Sequence, residues 1–330
     1  MIRLGILGAA RIAREAVLEP LKKLKHGSVV SIASRSLPRA REFATRHGIP
    51  RVASDYRELL ADPELDAIYI GLPPSEHEHW TIAALNAGKH VLCEKPFAMN
   101  AAEAQKMRAA SLGADRVLME AYHYRFHPLF ERIMKAVRGH ELGSLQHIEA
   151  WFNVPITFSS GEFRYSSRLG GGALMDLGCY PLHWSRTVAG REPTVLSASA
   201  QRHSQGVDLA VKARLDFGAG LTAAISASMS PELPQGLDAQ LFLQGSAGSL
   251  LAANPLAPHL GHRLTIDSGE GRRSECLEDE TTYYHQMRHF LEVLEQGAAP
   301  LIPLTDSIAQ MTGIDAIRAC LMDCEAPTQV

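Results

Sequence analysis

The chain has no excess of positive charge. Its 33 lysines and arginines face 36 aspartates and glutamates, for a formal net charge of −3 and a pI of about 6.6. A surface that follows nucleic-acid phosphates normally shows as a basic excess, so no nucleic-acid partner is expected. No apolar run approaches the roughly 20 residues of a membrane-spanning helix, so no membrane partner is expected either. The opening stretch MIRLGILGAARIA lacks the charged flank and the longer apolar run of a signal peptide and reads as a first strand. Cysteine is scarce and scattered. Cys93, Cys179, Cys276, Cys320 and Cys324 are odd in number and form no C-x-x-C, which points to free thiols in a reducing, cytoplasmic compartment. Cys320 and Cys324, one turn apart in a terminal amphipathic segment, are assigned to packing. Internal repeats and low-complexity tracts are also missing.

What is present is the composition of a globular protein with real cores, 46% hydrophobic and 21% charged over 330 residues, a length that suits two domains. In the first third, apolar runs at Ile2–Leu7, Val29–Ala33, Ala67–Gly71, His90–Cys93 and Val117–Glu120 alternate with helical patterns. These patterns lie near Arg11–Lys25, Pro38–His47, Asp55–Ala61, Glu76–Ala87 and Ala101–Leu112. Such alternation requires crossovers, hence a parallel sheet covered on both faces. Gly48, Gly88 and Gly113 follow helical runs and are expected to end them in the left-handed conformation. After about residue 144 strand patterns follow one another at Leu145–Val154, Val195–Arg202, Leu209–Phe217, Leu221–Ser228 and Leu237–Gln244. Val211, Ala213, Leu215 and Phe217 alternate with Lys212, Arg214 and Asp216, and Gly218-Ala219-Gly220 supplies a tight connection. Helical patterns return at Tyr284–Gln296 and Asp306–Asp323. The expected fold is α/β: a doubly wound parallel sheet over residues 1–121, then an α+β domain over 122–330 on a mostly antiparallel sheet.

Behind the first strand stands Gly8-Ala9-Ala10-Arg11-Ile12-Ala13, the spacing of a dinucleotide fingerprint with alanine at its second and third glycine positions. Gly8 permits the sharp turn, and the helix that follows offers N–H groups to a pyrophosphate. An ordinary small-residue turn has the same pattern; its position at the first strand-to-helix junction favours a nucleotide. The end of the second strand decides which one. A ribose 2′-hydroxyl calls for a carboxylate, a 2′-phosphate for a cation and hydroxyls. The chain offers Ser34-Arg35-Ser36, with Arg39 a turn later and no acid until Glu42. NADP(H) is therefore expected over NAD(H), which stays open.

The fifth strand ends in Glu94-Lys95-Pro96. Ligands of doubly wound sheets bind at the carboxyl edge of the strands, where Lys95 emerges, and Pro96 restricts the lysine backbone. A second signal is Gly170-Gly171-Gly172 ahead of a helix on which Asp176, Tyr180 and His183 share one face at i, i+4 and i+7. Triple glycine suits a backbone packed close to a ligand or another chain. The alternative is an amphipathic helix whose polar side faces water. Glu76-His77-Glu78-His79, Glu120/His123/His127 and His285/His289 mimic metal spacing, but none is a full ligand set, and no metal is expected.

GAARIA, ASRS, AGKHVLCEKP, MEAYHYRFHP and GGGALMDLGCYPLH together resemble the Gfo/Idh/MocA oxidoreductases, in particular the branch of dihydrodiol dehydrogenase and NADP-linked D-xylose dehydrogenase. The resemblance extends to about residue 324. It implies a Rossmann domain followed by a domain with a large open-faced sheet, often a dimer surface, so a homodimer or homotetramer through that sheet is expected. Lys95 is similar to the family's catalytic lysine. Tyr180 falls where many members carry histidine and this branch a tyrosine acid/base. Asp176 matches the family's active-site aspartate, expected to orient Lys95 or bind a substrate hydroxyl. His183 stands where aspartate or asparagine is frequent. The resemblance also sets Leu72, Pro73, Pro74 and His77 against the cofactor, with Arg164 and Tyr283 as further neighbours. The implied activity is hydride transfer between NADP(H) and a secondary alcohol of a sugar, polyol or cyclic diol. NAD-dependent glycosidases and non-catalytic sugar sensors share the fold. Lys95 together with Tyr180 speaks against a sensor, and Ser34-Arg35 against a permanently held NAD. Phe152, Phe158 and Phe163, in a loop drawn over Trp151–Arg168, are expected to shape the pocket.

Overall fold

The structure, a computed structural model, describes residues 1–269, 271–277 and 280–325, with side chains as far as Met322. The side chain of Cys324 lies outside the described residues. In chain order the elements begin with β1 (Ile2–Leu7), α1 (Glu19–Leu24), β2 (Gly27–Ala33), α2 (Leu37–His47), β3 (Arg51–Val52), α3 (Tyr56–Ala61) and β4 (Ala67–Ile70). Then come α4 (His77–Asn86), β5 (His90–Cys93), α5 (Ala101–Ala114), β6 (Leu118–Glu120), α6 (Pro128–Arg138), β7 (Leu145–Asn153) and α7 (Cys179–Ala189). The strands β8 (Thr194–Arg202), β9 (Asp208–Asp216), β10 (Thr222–Ser228), β11 (Asp238–Gly245), β12 (Gly248–Ala253), β13 (Arg263–Ser268) and β14 (Gly271–Glu275) precede α8 (Thr282–Gln296) and α9 (Leu304–Glu325). Among the described residues no helix is long and apolar enough to cross a membrane.

Two compact units result: Met1–Phe126 with Glu280–Ile308, and His127–Asp279 with the residues from Ala309 onward. A single boundary after residue 121 thus differs from the observed division, because the chain returns to the first unit. The cause is α8, which packs on α1 and the turn at His123–Phe126. Its Met287, Phe290 and Leu291 enter the same core as Leu4, Ile6 and Leu21.

The first unit holds a six-stranded sheet in the order β3-β2-β1-β4-β5-β6, parallel throughout. Its central strands are mainly apolar, β4 without interruption as AIYI, because both faces are covered. β3 has two residues, too short to show a period. Gly48 and Gly88 take positive φ as expected, but α5 continues through Gly113 and ends at Asp115, φ 50°. The helix expected at Arg11–Lys25 opens with a wide π turn over Arg14–Leu18. Pro20 has no N–H for the carbonyl of Ala16, and that carbonyl falls inside the wide turn.

The second unit carries an eight-stranded sheet, β14-β13-β12-β11-β7-β10-β9-β8. It is antiparallel except at β7–β10. Along β7, β9 and β10 one face buries Ile148, Ala150, Phe152, Val211, Ala213, Leu215, Ala223, Ile225 and Ala227, and α7 lies on β7 and β10. Gly218, Ala219 and Gly220 form the β9–β10 hairpin, all at positive φ. The strands β12 to β14 and the helix α6 were not foreseen. The loop drawn from Trp151 begins later, since Trp151 and Phe152 belong to β7.

Candidate active site

In the first unit the expected nucleotide residues other than Tyr283 follow the carboxyl ends of β1, β2, β4 and β5. The strand order reverses between β1 and β4, the crevice where such sheets take ligands. Gly8 follows β1 with φ +99°, and a Cβ there would stand 2.6 Å from the carbonyl oxygen of Gly71. No other residue fits so sharp a turn. Ala9, Ala10 and Ile12 are partly buried and Arg11 is exposed.

After β2, Ser34 and Ser36 are partly exposed and Arg35 and Arg39 exposed. Ser36 caps α2, its side chain accepting from the N–H of Arg39, and the first turn of α2 contains no acid. The backbone N–H of Arg35 donates to the hydroxyl of Tyr56 at 3.3 Å, which steadies the turn. This edge therefore combines two hydroxyls, two cations and a helix N-terminus without a carboxylate, a donor set that fits a phosphate.

After β4 come Leu72 and Pro73, partly buried, and Pro74, buried. His77 has no exposed surface. Its Nε2 lies 2.8 Å from the carbonyl oxygen of Leu72 and its Nδ1 3.0 Å from that of Pro96; a neutral ring donates to one of them at a time. Burial holds its pKa below the ordinary histidine value, against the pull of the carbonyls, and the Lys95 charge acts in the same direction. His77 thus joins the loop after β4 to the turn after β5.

In that turn Pro96 is buried behind a cis peptide bond, and Lys95 is partly exposed. Glu94 is buried; its carboxylate accepts from the Tyr69 hydroxyl at 2.8 Å and, more weakly, from the Lys95 N–H at 3.3 Å. Tyr69 was missed, although a tyrosine inside the buried run AIYI signals that its hydroxyl needs a partner. Burial pushes its pKa well up and the Glu94 charge adds to this. Tyr283, at the start of α8, stacks on His123 at 4.1 Å, and burial followed by the Glu94 and Glu15 charges raises its pKa well above the usual value.

In the second unit every residue from Gly172 to Arg186 is buried, so the reading with a polar side facing water does not hold. Asp176 is 7% exposed, Tyr180 3% and His183 1%. Tyr180 meets Phe152 edge-on at 5.6 Å between ring centroids and lies 6.2 Å from Trp184. The wide turn Leu174–Gly178 leads into α7, where Pro181 has no N–H to give to Leu177.

The glycines before it serve internal packing. A Cβ on Gly171 would come within 2.4 Å of the Arg164 carbonyl oxygen, and one on Gly172, at φ +111°, within 2.3 Å of the Asp208 carboxylate. The Gly172 N–H donates to the Arg164 carbonyl at 2.9 Å, and Asp208 accepts from the N–H of Leu174 at 2.6 Å. Burial raises the pKa of Asp208 against that hydrogen bond. The loop so held presents Arg164, whose Nε meets Asp176 at 2.5 Å and whose Nη1 meets Glu162 at 2.9 Å, with its guanidinium 4.7 Å above the Phe163 ring. Burial works against the Arg164 charge, but the Asp176 and Glu162 carboxylates outweigh it and its pKa is raised. Glu162 and Asp208 carried no sequence signal, because the spacing that brings them here is set by a loop and by β9.

Several of the residues that mimic metal spacing have other engagements. Glu76 accepts from the indole of Trp80, Glu78 from Lys106, His123 pairs with Thr282 and His127 caps α6. His289 accepts from the N–H of Leu301.

The description "Oxidoreductase family, NAD-binding Rossmann fold" matches residues 2–122, and the GFO/IDH/MocA C-terminal domain matches 130–251. The chain is 33% identical to the D-xylose 1-dehydrogenase (NADP(+)) 2 of Haloferax volcanii, over 95% of each chain. It is 32% identical to the trans-1,2-dihydrobenzene-1,2-diol dehydrogenase of Bos taurus, over 97% of each. A 3-ketoreductase from Actinomadura kijaniata, solved with NADP and TDP-benzene, superposes with a TM-score of 0.88 at 27% identity, covering 97% of this chain and 98% of that one. A doubly wound sheet with a glycine turn at its switch point, a lysine turn after β5 and a matching second domain place this chain in the Gfo/Idh/MocA oxidoreductase family.

Proposed function

We propose that this oxidoreductase transfers hydride between NADP(H) and a secondary alcohol or carbonyl of a sugar, polyol or cyclic diol, with Lys95 and Tyr180 as the acid/base pair. The observation that carries the reading is the setting of Lys95. It stands beyond β5, near the switch point, in a turn anchored by Glu94 to Tyr69 and by Pro96 to His77.

The residues fit the cofactor. Gly8 makes room beside Gly71 where any side chain would intrude, and Ala9 to Ile12 would follow the pyrophosphate. Ser34, Arg35, Ser36 and Arg39 would hold the 2′-phosphate, and Leu72, Pro73, Pro74, Glu94 and Tyr283 would line the remainder. When bound, the nicotinamide accepts or donates the hydride.

The protein's own task is the proton. A free tyrosine has a pKa of about 10, so ionising it near pH 7 costs about 4 kcal/mol. An ammonium about 4 Å away, at an effective dielectric near 20, offsets a similar amount. Lys95 is the cation assigned to that task, and to countering charge on the alcohol oxygen. Asp176, already paired with Arg164, is assigned to holding the substrate-side loop and a substrate hydroxyl, and His183 to the same helix face.

We assign the partner of the open sheet face to a second copy of this chain. A concavity of about 420 Å³ there is lined by Glu149, Trp151, Lys212 and Arg214 among others. Acid and base on one face suit a two-fold pairing in which each copy meets the other's opposite charge. Light scattering would give twice the chain mass, and Arg214→Glu should lower it. The described cysteines are free, which supports a reducing, cytoplasmic setting.

Absorbance at 340 nm with NADP⁺ across aldoses, polyols and cyclic diols tests the activity. Net NADPH accumulation is expected; glycoside cleavage without it, or binding without turnover, would replace the dehydrogenase reading.

A further inference from the structure

Behind Tyr180 runs a chain of polar groups that the proposed reaction does not use. Arg186, in α7, is a cation with 2% of its side chain exposed. A guanidinium taken from water is tolerated only where its charge is countered and its N–H groups are matched. Here Nε and Nη2 meet the two carboxylate oxygens of Glu192 at 2.6 and 2.8 Å, the parallel two-bond geometry these groups favour. Nη1 donates to Oε1 of Gln310 at 2.9 Å.

Gln310 lies in α9 and is fully buried. Its Nε2 donates to the carbonyl oxygen of Cys179 at 2.8 Å. An amide has one accepting end and one donating end, and arginine can only donate. Arg186 therefore decides which way the amide points and leaves its N–H₂ for Cys179, the residue before Tyr180. One turn along α9, a Cβ on Gly313 would come within 3.1 Å of Leu182. A single face of α9 thus lies against the backbone just before Tyr180 and the side chain of Leu182, two residues after it.

The first turn of α7 needs such support. It follows a wide turn and includes Pro181, so part of its ordinary hydrogen-bond ladder is missing. A proton-transfer group is sensitive to shifts well below 1 Å.

We infer that Gln310, oriented by the Arg186–Glu192 pair, is a positioning residue for the Tyr180 phenol: by gripping the Cys179 carbonyl it sets where the hydroxyl stands. The inference rests on the assignment of Tyr180 as acid/base.

Gln310→Glu keeps an acceptor for Arg186 and removes the donor to Cys179. The expected result is a near wild-type Tm, a kcat about tenfold lower and an unchanged KM for NADPH. In the Tyr180→Phe background the same substitution should cause no further loss, because the group it positions has gone. A wild-type kcat in Gln310→Glu, or losses that multiply in the double variant, would overturn the positioning role. A wild-type kcat in Tyr180→Phe alone would instead remove the assignment beneath it, and the inference with it. Should Gln310→Glu fold poorly, Glu192→Gln provides the milder version: a smaller kcat loss, again absent without the phenol, supports the proposal, and a loss that persists in Tyr180→Phe refutes it.

Discussion

Arg164 places its Nε 2.5 Å from the carboxylate of Asp176, so the first polar residue of the helix face is matched by a cation from the preceding loop. Only 9% of the Asp176 side chain is exposed. Removing the guanidinium strands a carboxylate that water barely reaches. Arg164→Met should therefore cost about 3 kcal/mol, near the low end for breaking a buried pair, read as a lower midpoint in urea. In Arg164→Met/Asp176→Leu the more deeply buried carboxylate is gone and Glu162, with 20% of its side chain exposed, is the acid that has lost its arginine, so much of that loss should return. Equal midpoints for Arg164→Met and wild type would show that the pair contributes little.

Lys95→Ala should lower kcat by about 10²–10⁴-fold, the usual worth of a positioned acid or base. NADPH binding, followed by fluorescence, should remain near wild type, since Ser34, Arg35 and Gly8 are untouched. Tyr180→Phe should lower kcat within the same range and flatten its pH dependence. A full kcat in Lys95→Ala would withdraw the assignment.

Cofactor choice should reside at the end of β2. Arg35→Ala should raise KM for NADPH by about tenfold or more, the worth of a charge-assisted hydrogen bond, with little change for NADH. Ser34→Asp should go further, since a carboxylate repels a 2′-phosphate and can accept from a 2′-hydroxyl. The check is the ratio of kcat/KM for the two nucleotides. A ratio unmoved by either substitution would place 2′ recognition elsewhere.

Much of this was legible in the sequence, and the gaps have physical causes. Ile2–Leu7 and His90–Cys93 were read to the residue because a buried parallel strand is a mainly apolar run bounded by turns, with Arg3 and His90 confined to the partly exposed starts of the strands. Tyr180 and His183 lie in α7, whereas Asp176 lies in the wide turn that leads into it, so the i, i+4, i+7 spacing crosses a turn whose width the sequence did not announce. What stayed hidden depends on tertiary return. Nothing in TYYHQMRHF tells that α8 belongs with β1 rather than with the strands just before it. The glycines at 171 and 172 announced close approach, but not that the neighbours are Arg164 and Asp208 of the same chain. Strands β12 to β14 carry short or weakly alternating patterns, and their register is set by neighbours already in place.

Stability should fall on mild acidification, in part through His77. Its folded pKa is depressed below the ordinary 6.5 by burial. In the unfolded chain the ring takes up a proton as pH drops through that ordinary value, whereas the folded ring takes it up only at lower pH. Acid therefore favours the unfolded state, and the contribution is complete above about pH 6.5 and lost below it. His90 and His289 are depressed in the same direction, so the test compares slopes. Between pH 7.5 and 5.5 the Tm of His77→Gln should fall less steeply than that of wild type; parallel curves would assign the acid sensitivity to other groups.

Gly172 and Asp208 should behave as a coupled pair. A methyl group on Gly172 would lie 2.3 Å from the Asp208 carboxylate, on a backbone at φ +111°. Gly172→Ala therefore faces both steric overlap and backbone strain, together about 3 kcal/mol or more. Asp208→Ala removes the overlap, and also the acceptor for the Leu174 N–H, for about 1–3 kcal/mol. In the Asp208→Ala background Gly172→Ala should then cost only the strain, and the double variant should be more stable than the sum of the two losses by about 1 kcal/mol or more. Denaturant midpoints of the four proteins measure this directly. Strict additivity would mean that the carboxylate swings aside at no cost, and the third glycine would then be required by its backbone conformation alone.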